Sequence, residues 1–112
     1  MEQWKTDAFN HATKCQPLEC CGILAKNKGK LEYWECRNVA KDNPEYSFVI
    51  DPLDWADCED NVEEIIGIIH SHPEGDLKFS DNDIASCNYL DIPFYLVDPK
   101  TQSIIHIEPE QL

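Results

Sequence analysis

The stretch Ile65-Ile66-Gly67-Ile68-Ile69-His70-Ser71-His72-Pro73 joins a short apolar run to two histidines that are one residue apart. A nearly continuous apolar run of this length is typical of a central β-strand that is buried on both faces. Because side chains alternate between the faces of a strand, we expect His70 and His72 on the same side. Two converging imidazoles are a usual beginning of a zinc site.

Ser80 and Asp83 follow the histidines, at the start of a helix predicted to continue through residues 84–90. The carboxylate of Asp83 would supply a third ligand and leave a fourth position for water, which is the catalytic form of a zinc site. A second interpretation needs no metal, because Ser80 with an acidic residue three positions later resembles a helix capping box. The two interpretations are compatible, since a capped helix start is a rigid support for a ligand.

Length, charge and hydropathy limit the class of protein. A chain of 112 residues, 42% of them hydrophobic, is typical of one soluble globular domain. The net charge of −13 disfavours a nucleic-acid partner, which requires a basic surface. No apolar run approaches the roughly 20 residues that span a bilayer, and the first residues do not resemble a signal peptide. We therefore expect a cytoplasmic protein without a membrane partner.

The six cysteines are predicted to be reduced residues of the core. In a chain without a secretory signal, free thiols are more common than disulfides. There is no Cys-x-x-Cys pair, and the adjacent Cys20 and Cys21 would face opposite sides of a strand. Cysteines in such positions pack as small apolar side chains.

The rest of the chain predicts an α/β (α+β) domain with a mixed, mostly antiparallel sheet and about three helices. Apolar spacing predicts a helix over 4–15, ended by Pro17. Asp51-Pro52 resembles an N-cap followed by proline and predicts a second helix. The predicted strands are residues 21–25 and 31–36, which form a hairpin, followed by 46–50, 65–69, 93–97 and 103–107.

Glu19 is the candidate for a general base. Zinc-dependent hydrolysis needs a proton acceptor beside the attacking water that is not itself used as a ligand. Glu19 lies between Pro17 and Cys21-Gly22, immediately before a predicted strand. Most glutamates are solvated surface groups, so its position alone leaves the role open.

Together these residues resemble a known family. His70-Ser71-His72-Pro73 with Ser80 and Asp83 is similar at every defined position to the JAMM (MPN-plus) metalloprotease signature. The segment Pro17-x-Glu19-x-Cys21-Gly22, about 50 residues upstream, resembles the motif that carries this family's catalytic glutamate. The resemblance covers nearly the whole chain and implies that residues 1–112 form one JAMM-like domain, of the cytidine-deaminase-like kind.

The resemblance implies a role for each residue. His70, His72 and Asp83 would bind Zn²⁺ as the cofactor. Glu19 would take a proton from water and pass it to the leaving amine, and Ser80 would stabilise the oxyanion. The implied activity is that of a zinc metallopeptidase or isopeptidase acting on a peptide or protein substrate.

Within the family, the segment His72-Pro73-Glu74-Gly75-Asp76 most resembles that of prokaryotic and phage members. Among them, the chain is most similar to the N-terminal domain of phage tail assembly proteins of the lambda K type. Phage tail proteins and peptidoglycan peptides are therefore the expected substrates. Two alternatives stay open. One is a non-catalytic tail-assembly module with a metal site, and the other is processing of a ubiquitin-like sulfur-carrier protein.

Overall fold

The structure is a computed structural model that describes residues 1–110. Its centre is a five-stranded sheet built around the apolar run of residues 65–69. In chain order the elements are α1 (Gln3–Cys15), β1 (Cys21–Asn27), β2 (Lys30–Cys36), α2 (Pro52–Asn61), β3 (Glu64–Ser71), α3 (Asp81–Leu90), β4 (Phe94–Asp98) and β5 (Ser103–Ile107). The strand order is β2-β1-β3-β4-β5, and only the β3–β4 pair is parallel. The predicted mixed, mostly antiparallel sheet with three helices is confirmed.

One face of the sheet is covered by α1. Its buried side chains recur at helical spacing and form one stripe, made of Trp4, Ala8, Phe9 and Ala12. The stripe packs on Leu24, Ile69 and Val97, one from each of the three inner strands. Burying each large apolar side chain contributes roughly 1.5–3 kcal/mol, so this face provides much of the stability of the domain.

The opposite face carries α2, α3 and the residues that precede α2. Ile68 packs there with Cys87 of α3 and Phe94 of β4. Since Ile69 points to α1, the alternation along β3 puts Ile68 and His70 together on this second face. The central strand therefore passes from an apolar core directly to its two histidines.

Gly67 interrupts the apolar run because neighbouring groups approach its backbone closely. A Cβ atom at this position would lie 2.7 Å from the ring of Tyr95 and 2.9 Å from the carbonyl oxygen of Pro93. The Pro93 carbonyl also accepts a hydrogen bond from the Ile68 N–H at 2.9 Å. A side chain would displace this contact, so glycine is required where β3 meets the segment before β4.

The prediction of a strand over residues 46–50 is wrong. Residues 44–46 form a turn, and only Ile50 makes an isolated bridge, to Asn38. The side chain of Asn38 replaces a regular ladder, because its amide donates to the Ser47 carbonyl at 3.0 Å and its oxygen accepts from the Val49 N–H at 3.1 Å. Phe48 still packs inward from this irregular segment.

The cysteines lie where a reduced core would place them. All six are free thiols and five of them are buried. Cys20 packs towards α1 and Cys21 towards α2, on opposite faces, as predicted. Burial raises the pKa of Cys20 and Cys36 to about 12, so both thiols stay protonated. Within residues 1–110 no helix is long and apolar enough to cross a membrane.

Candidate metal centre

The two histidines of β3 point at one carboxylate from the first turn of α3. The Nε2 atom of His72 lies 3.1 Å from Oδ2 of Asp83, and the Nε2 atom of His70 lies 3.3 Å from the same oxygen. Tetrahedral zinc sites with bonds of about 2.0–2.2 Å place neighbouring ligand atoms about 3.3–3.5 Å apart. Both distances to Oδ2 are close to that separation, so the Asp83 carboxylate is positioned to share a metal ion with the two imidazoles.

Asp83 holds this position because Ser80 caps α3. The Ser80 hydroxyl oxygen accepts the Asp83 N–H at 3.0 Å, and Oδ2 of Asp83 accepts the Ser80 N–H at 3.0 Å. This reciprocal pair is the predicted capping box. Asp83 is both a member of the capping box and the residue that faces the two histidines. The capping box therefore fixes the position of its carboxylate.

Glu19 completes the group from the other side. One ligand atom from each of Glu19, His70 and His72 lies within 4.8 Å of the other two. Glu19 is brought there by the antiparallel pairing of β1 with β3, which sets Cys21 opposite His70. Ser71, whose side chain alternates away from the histidines, fixes this end of the pairing by accepting the Cys20 N–H at 3.0 Å.

Asn38 holds the backbone of Glu19 from outside the sheet. Its amide donates to the Glu19 carbonyl at 3.1 Å, while the Glu19 N–H donates to the Pro44 carbonyl at 2.9 Å. The same amide group also bonds the loop of residues 42–49. One asparagine side chain thus ties the glutamate to the loop that borders the site.

His70 lies in an environment that leaves its ring nitrogens without partners. It is fully buried, and Phe48 stacks on the imidazole with ring centroids 4.9 Å apart. Neither Nδ1 nor Nε2 has a hydrogen-bond partner among residues 1–110, because the contact with Asp83 lacks hydrogen-bond alignment. Burial of an unpaired polar nitrogen is costly. A metal ion bound at Nε2 would provide the partner that this nitrogen lacks. The residues of the site therefore fit a bound metal ion.

The pKa of Glu19 is suited to proton transfer near neutral pH. Burial raises the pKa of this carboxyl to about 7, against the opposing charge of His72 and with the help of Asp83 and Asp76. A base with a pKa near the working pH is the most effective in general acid–base catalysis.

The pKa of Asp83 is shifted in the opposite direction to that of Glu19. Burial alone would raise the pKa of Asp83, but its contacts with His70 and His72 hold that pKa well below the usual range. Burial would lower the pKa of His72, yet the hydrogen bond to Asp83 and the negative charges of Asp83, Glu19 and Asp76 together outweigh burial and raise it. Glu19 and Asp83 are thus two nearby carboxyl groups with opposite pKa shifts, a pattern typical of functional sites.

An open cleft of about 350 Å³ gives access to the group. Ser80, Glu19 and His72 all line it, so the structure brings every residue predicted for the site to one place. Asp76, also in the lining, lies 3.4 Å from Nδ1 of His72, on the opposite side of the ring from the Nε2 that faces Asp83.

Sequence reasoning missed three contributors to the site. Asp76 lies four residues after His72 in the same motif, so an acidic residue at that distance was a usable signal. Phe48 lies in the strand predicted over residues 46–50, and nothing in the sequence links it to His70. Asn38 carries no local signal, because its bonds join segments that meet only in the folded chain.

The site thus combines the capped start of a helix with the end of a central strand that carries paired imidazoles. The chain belongs to the Prok-JAB family, the prokaryotic homologs of the JAB domain, which matches residues 1–106. The resemblance stated from the motifs is therefore confirmed at the level of the family.

Two individual proteins are similar to the chain. Tail tip assembly protein K of Escherichia phage N15 is 33% identical over 110 residues, which are 97% of this chain and 44% of that protein. The chain thus spans less than half the length of this relative. The solution structure of protein DSY2949 from Desulfitobacterium hafniense has a TM-score of 0.70 at 18% identity, over 95% of this chain and 78% of that one. This second likeness supports the fold.

Replacing Asn38 by alanine is expected to lower the free energy of unfolding by about 3 kcal/mol, because several half-buried hydrogen bonds of its side chain are lost together. Asn61→Ala is the matched control, since the amide of Asn61 is exposed and bonds only within α2. Urea denaturation with a chelator present measures both variants. Equal losses in the two variants would contradict the anchoring role.

Glu19→Gln is expected to stabilise the metal-free protein at pH 8. Since the pKa is about 7 in the folded protein against an ordinary value of 4.5, the folded chain binds more protons between these values. Stability therefore falls as the pH rises from 4.5 to 7, by about 3 kcal/mol in total, and the neutral amide avoids this loss.

The measurement is the urea midpoint of wild type and Glu19→Gln in chelator, at pH 4.5 and pH 8. The difference between the two proteins should nearly vanish at pH 4.5, where the glutamate is protonated in the folded state and still about half protonated in the unfolded state. A variant no more stable than wild type at pH 8 would show that Glu19 is not held in a desolvated position.

Proposed function

We propose that this protein is a zinc-dependent metallopeptidase or isopeptidase. The observation that carries the proposal is the position of Glu19, a buried carboxyl with a raised pKa, within 4.8 Å of two histidine ligand atoms. A site that only bound a structural metal would have no use for an additional, desolvated carboxyl at its open side. Membership of the Prok-JAB family supports the proposal.

His70, His72 and Asp83 are the proposed ligands of the zinc ion. Two imidazoles and one carboxylate are a ligand set that suits zinc and leaves an open position. Asp83 is favoured over Glu19 as the third ligand because its oxygen lies near both Nε2 atoms, at 3.1 and 3.3 Å. When bound, zinc would polarise a substrate carbonyl and supply a nucleophile at neutral pH.

Glu19 is the proposed proton carrier. In its ionised form the carboxylate accepts a proton from the attacking water, and in its protonated form it delivers that proton to the leaving amine. A pKa of about 7 makes both forms available at neutral pH. Anchoring of its backbone by Asn38 keeps the carboxyl in place through both steps.

Ser80 is the proposed donor to the oxyanion. Its oxygen accepts the Asp83 N–H, so its hydroxyl proton is not used in the capping box and can point into the cleft. A donor held in position before the reaction stabilises charge that develops on the carbonyl oxygen. The cap would therefore also fix the orientation of a catalytic hydroxyl.

Three variants should distinguish loss of zinc binding from loss of hydrolytic activity. Glu19→Gln is expected to retain zinc and lose about 10²–10⁴-fold in kcat, because it keeps the ligands and removes the base. His72→Ala and Asp83→Asn are expected to lose both zinc and activity. Metal analysis after dialysis, together with cleavage of a pool of internally quenched peptides and ε-amino isopeptides, measures both properties.

The matched control is Asp81→Asn, which removes an exposed carboxylate from the same first turn of α3 without touching the histidines. Loss of zinc in Glu19→Gln with retention in Asp83→Asn would exchange the roles of the two carboxyl groups. Full activity of Glu19→Gln would refute the proposal.

A second candidate function is a tail-assembly module in which the metal site is structural. The observation in its favour is the similarity to tail tip assembly protein K of phage N15, whose name states assembly and not hydrolysis. The processing of a sulfur-carrier protein has no comparable support here.

The two functions differ in what Glu19→Gln does in the genome that encodes this chain. An assembly module is expected to form normal tailed particles with Glu19→Gln and none when the gene is deleted, as counted by electron microscopy. A peptidase needed for assembly would fail with both changes. His72→Ala serves as the comparison that removes the metal and the activity together.

A further inference from the structure

A second, larger depression lies beside the candidate metal centre on the α3 face of the sheet. It has a volume of about 430 Å³, within the range of about 300–1,000 Å³ found for ligand sites. Its walls are α3 and the irregular segment of residues 46–50. Its apolar lining includes Phe48, Ile50, Trp55, Ile68, Ile92 and Phe94. We call this depression the apolar groove.

The apolar groove is continuous with the candidate metal centre through three residues. Asp83 forms part of its lining and faces both histidines. Phe48 lines the groove and also stacks on His70. Tyr46, which is 72% exposed, borders both the groove and the cleft that contains Glu19. A substrate peptide that lies across the candidate metal centre would therefore extend into the apolar groove.

The two sides of the site differ in charge. Besides the proposed zinc ligand Asp83, every residue lining the groove is uncharged. The cleft on the other side contains three further carboxylates, from Glu45, Glu74 and Asp76. A charged substrate side chain would lose its hydration in the groove without gaining a partner, which is costly. An apolar side chain gains free energy there by leaving water.

We propose that the apolar groove binds an uncharged, apolar side chain of the substrate, next to the bond that is cleaved. The inference rests on the proposed hydrolytic function for its meaning. It identifies the substrate class as a peptide with a large aliphatic or aromatic residue flanking the scissile bond. Ser86 lines the groove from the middle of α3, and its small side chain leaves the space open.

Binding can be tested without hydrolysis in the Glu19→Gln protein. The probes are N-acetyl-leucine methylamide and N-acetyl-aspartate methylamide, followed by ¹⁵N NMR. The leucine probe is expected to shift the indole N–H of Trp55 and the amide of Ser86 in a saturable manner, and the aspartate probe is not. Equal shifts from both probes, or no shift in the groove, would overturn the inference.

Two variants on adjacent residues provide the matched comparison. Ser86→Phe fills the groove and should abolish the leucine shifts. Ala85→Phe adds the same bulk one residue away, on an exposed position outside the groove lining, and should retain them. If Ser86→Phe does not fold, Val49→Asp places a charge at the half-exposed rim and should reverse the preference between the two probes.

The zinc-loaded protein provides the second readout, on quenched peptides that differ only in the residues flanking each bond. We expect leucine or phenylalanine to be preferred over aspartate by about tenfold or more, and Ser86→Phe to abolish that preference. Cleavage without preference overturns the groove assignment and leaves the proposed function standing. Leucine-specific shifts without any cleavage refute the proposed function and leave the groove assignment standing.

Discussion

The pairing between the start of β1 and the end of β3 determines the rest of the site. The N–H of Cys20 donates to the Ser71 hydroxyl, and the N–H of Ser71 donates to the Cys20 carbonyl. These bonds lie where β1 begins and β3 ends, and Glu19 and His72 follow just beyond them. Two residues about 50 positions apart in the sequence thus face each other because two strands end in register.

A second constraint operates through the start of α3. A capping box normally serves the helix alone, satisfying N–H groups that have no partner in the first turn. Here one of its two members also faces both imidazoles, and the other lines the open cleft. The same pair of hydrogen bonds therefore stabilises the start of α3 and fixes the Asp83 carboxylate. Loss of either side chain would disturb both functions.

Much of this arrangement follows from local sequence patterns. The apolar run of 65–69 was sufficient to predict the central strand, and Asp51-Pro52 and Ser80-x-x-Asp83 predicted the starts of two helices. Alternation correctly put the histidines on one side. Residues 46–50 were misassigned because their β-type composition serves packing, while the Asn38 side chain takes over their backbone hydrogen bonds. The apolar groove was also unpredictable, since its lining residues come from the segment 46–50, from α2, β3 and α3, and from the segment 92–94.

The alternation along β3 has a consequence for folding. A slip of the β1–β3 pairing by one residue would turn His70 and His72 towards α1 and bring Ile69 and Ser71 to the open side. A mispaired chain would then hold both imidazoles away from Asp83 and Glu19. A metal ion that binds only the correctly paired chain would shift the population towards it by mass action. Metal binding would thus favour the native register of β1 and β3 over the shifted one.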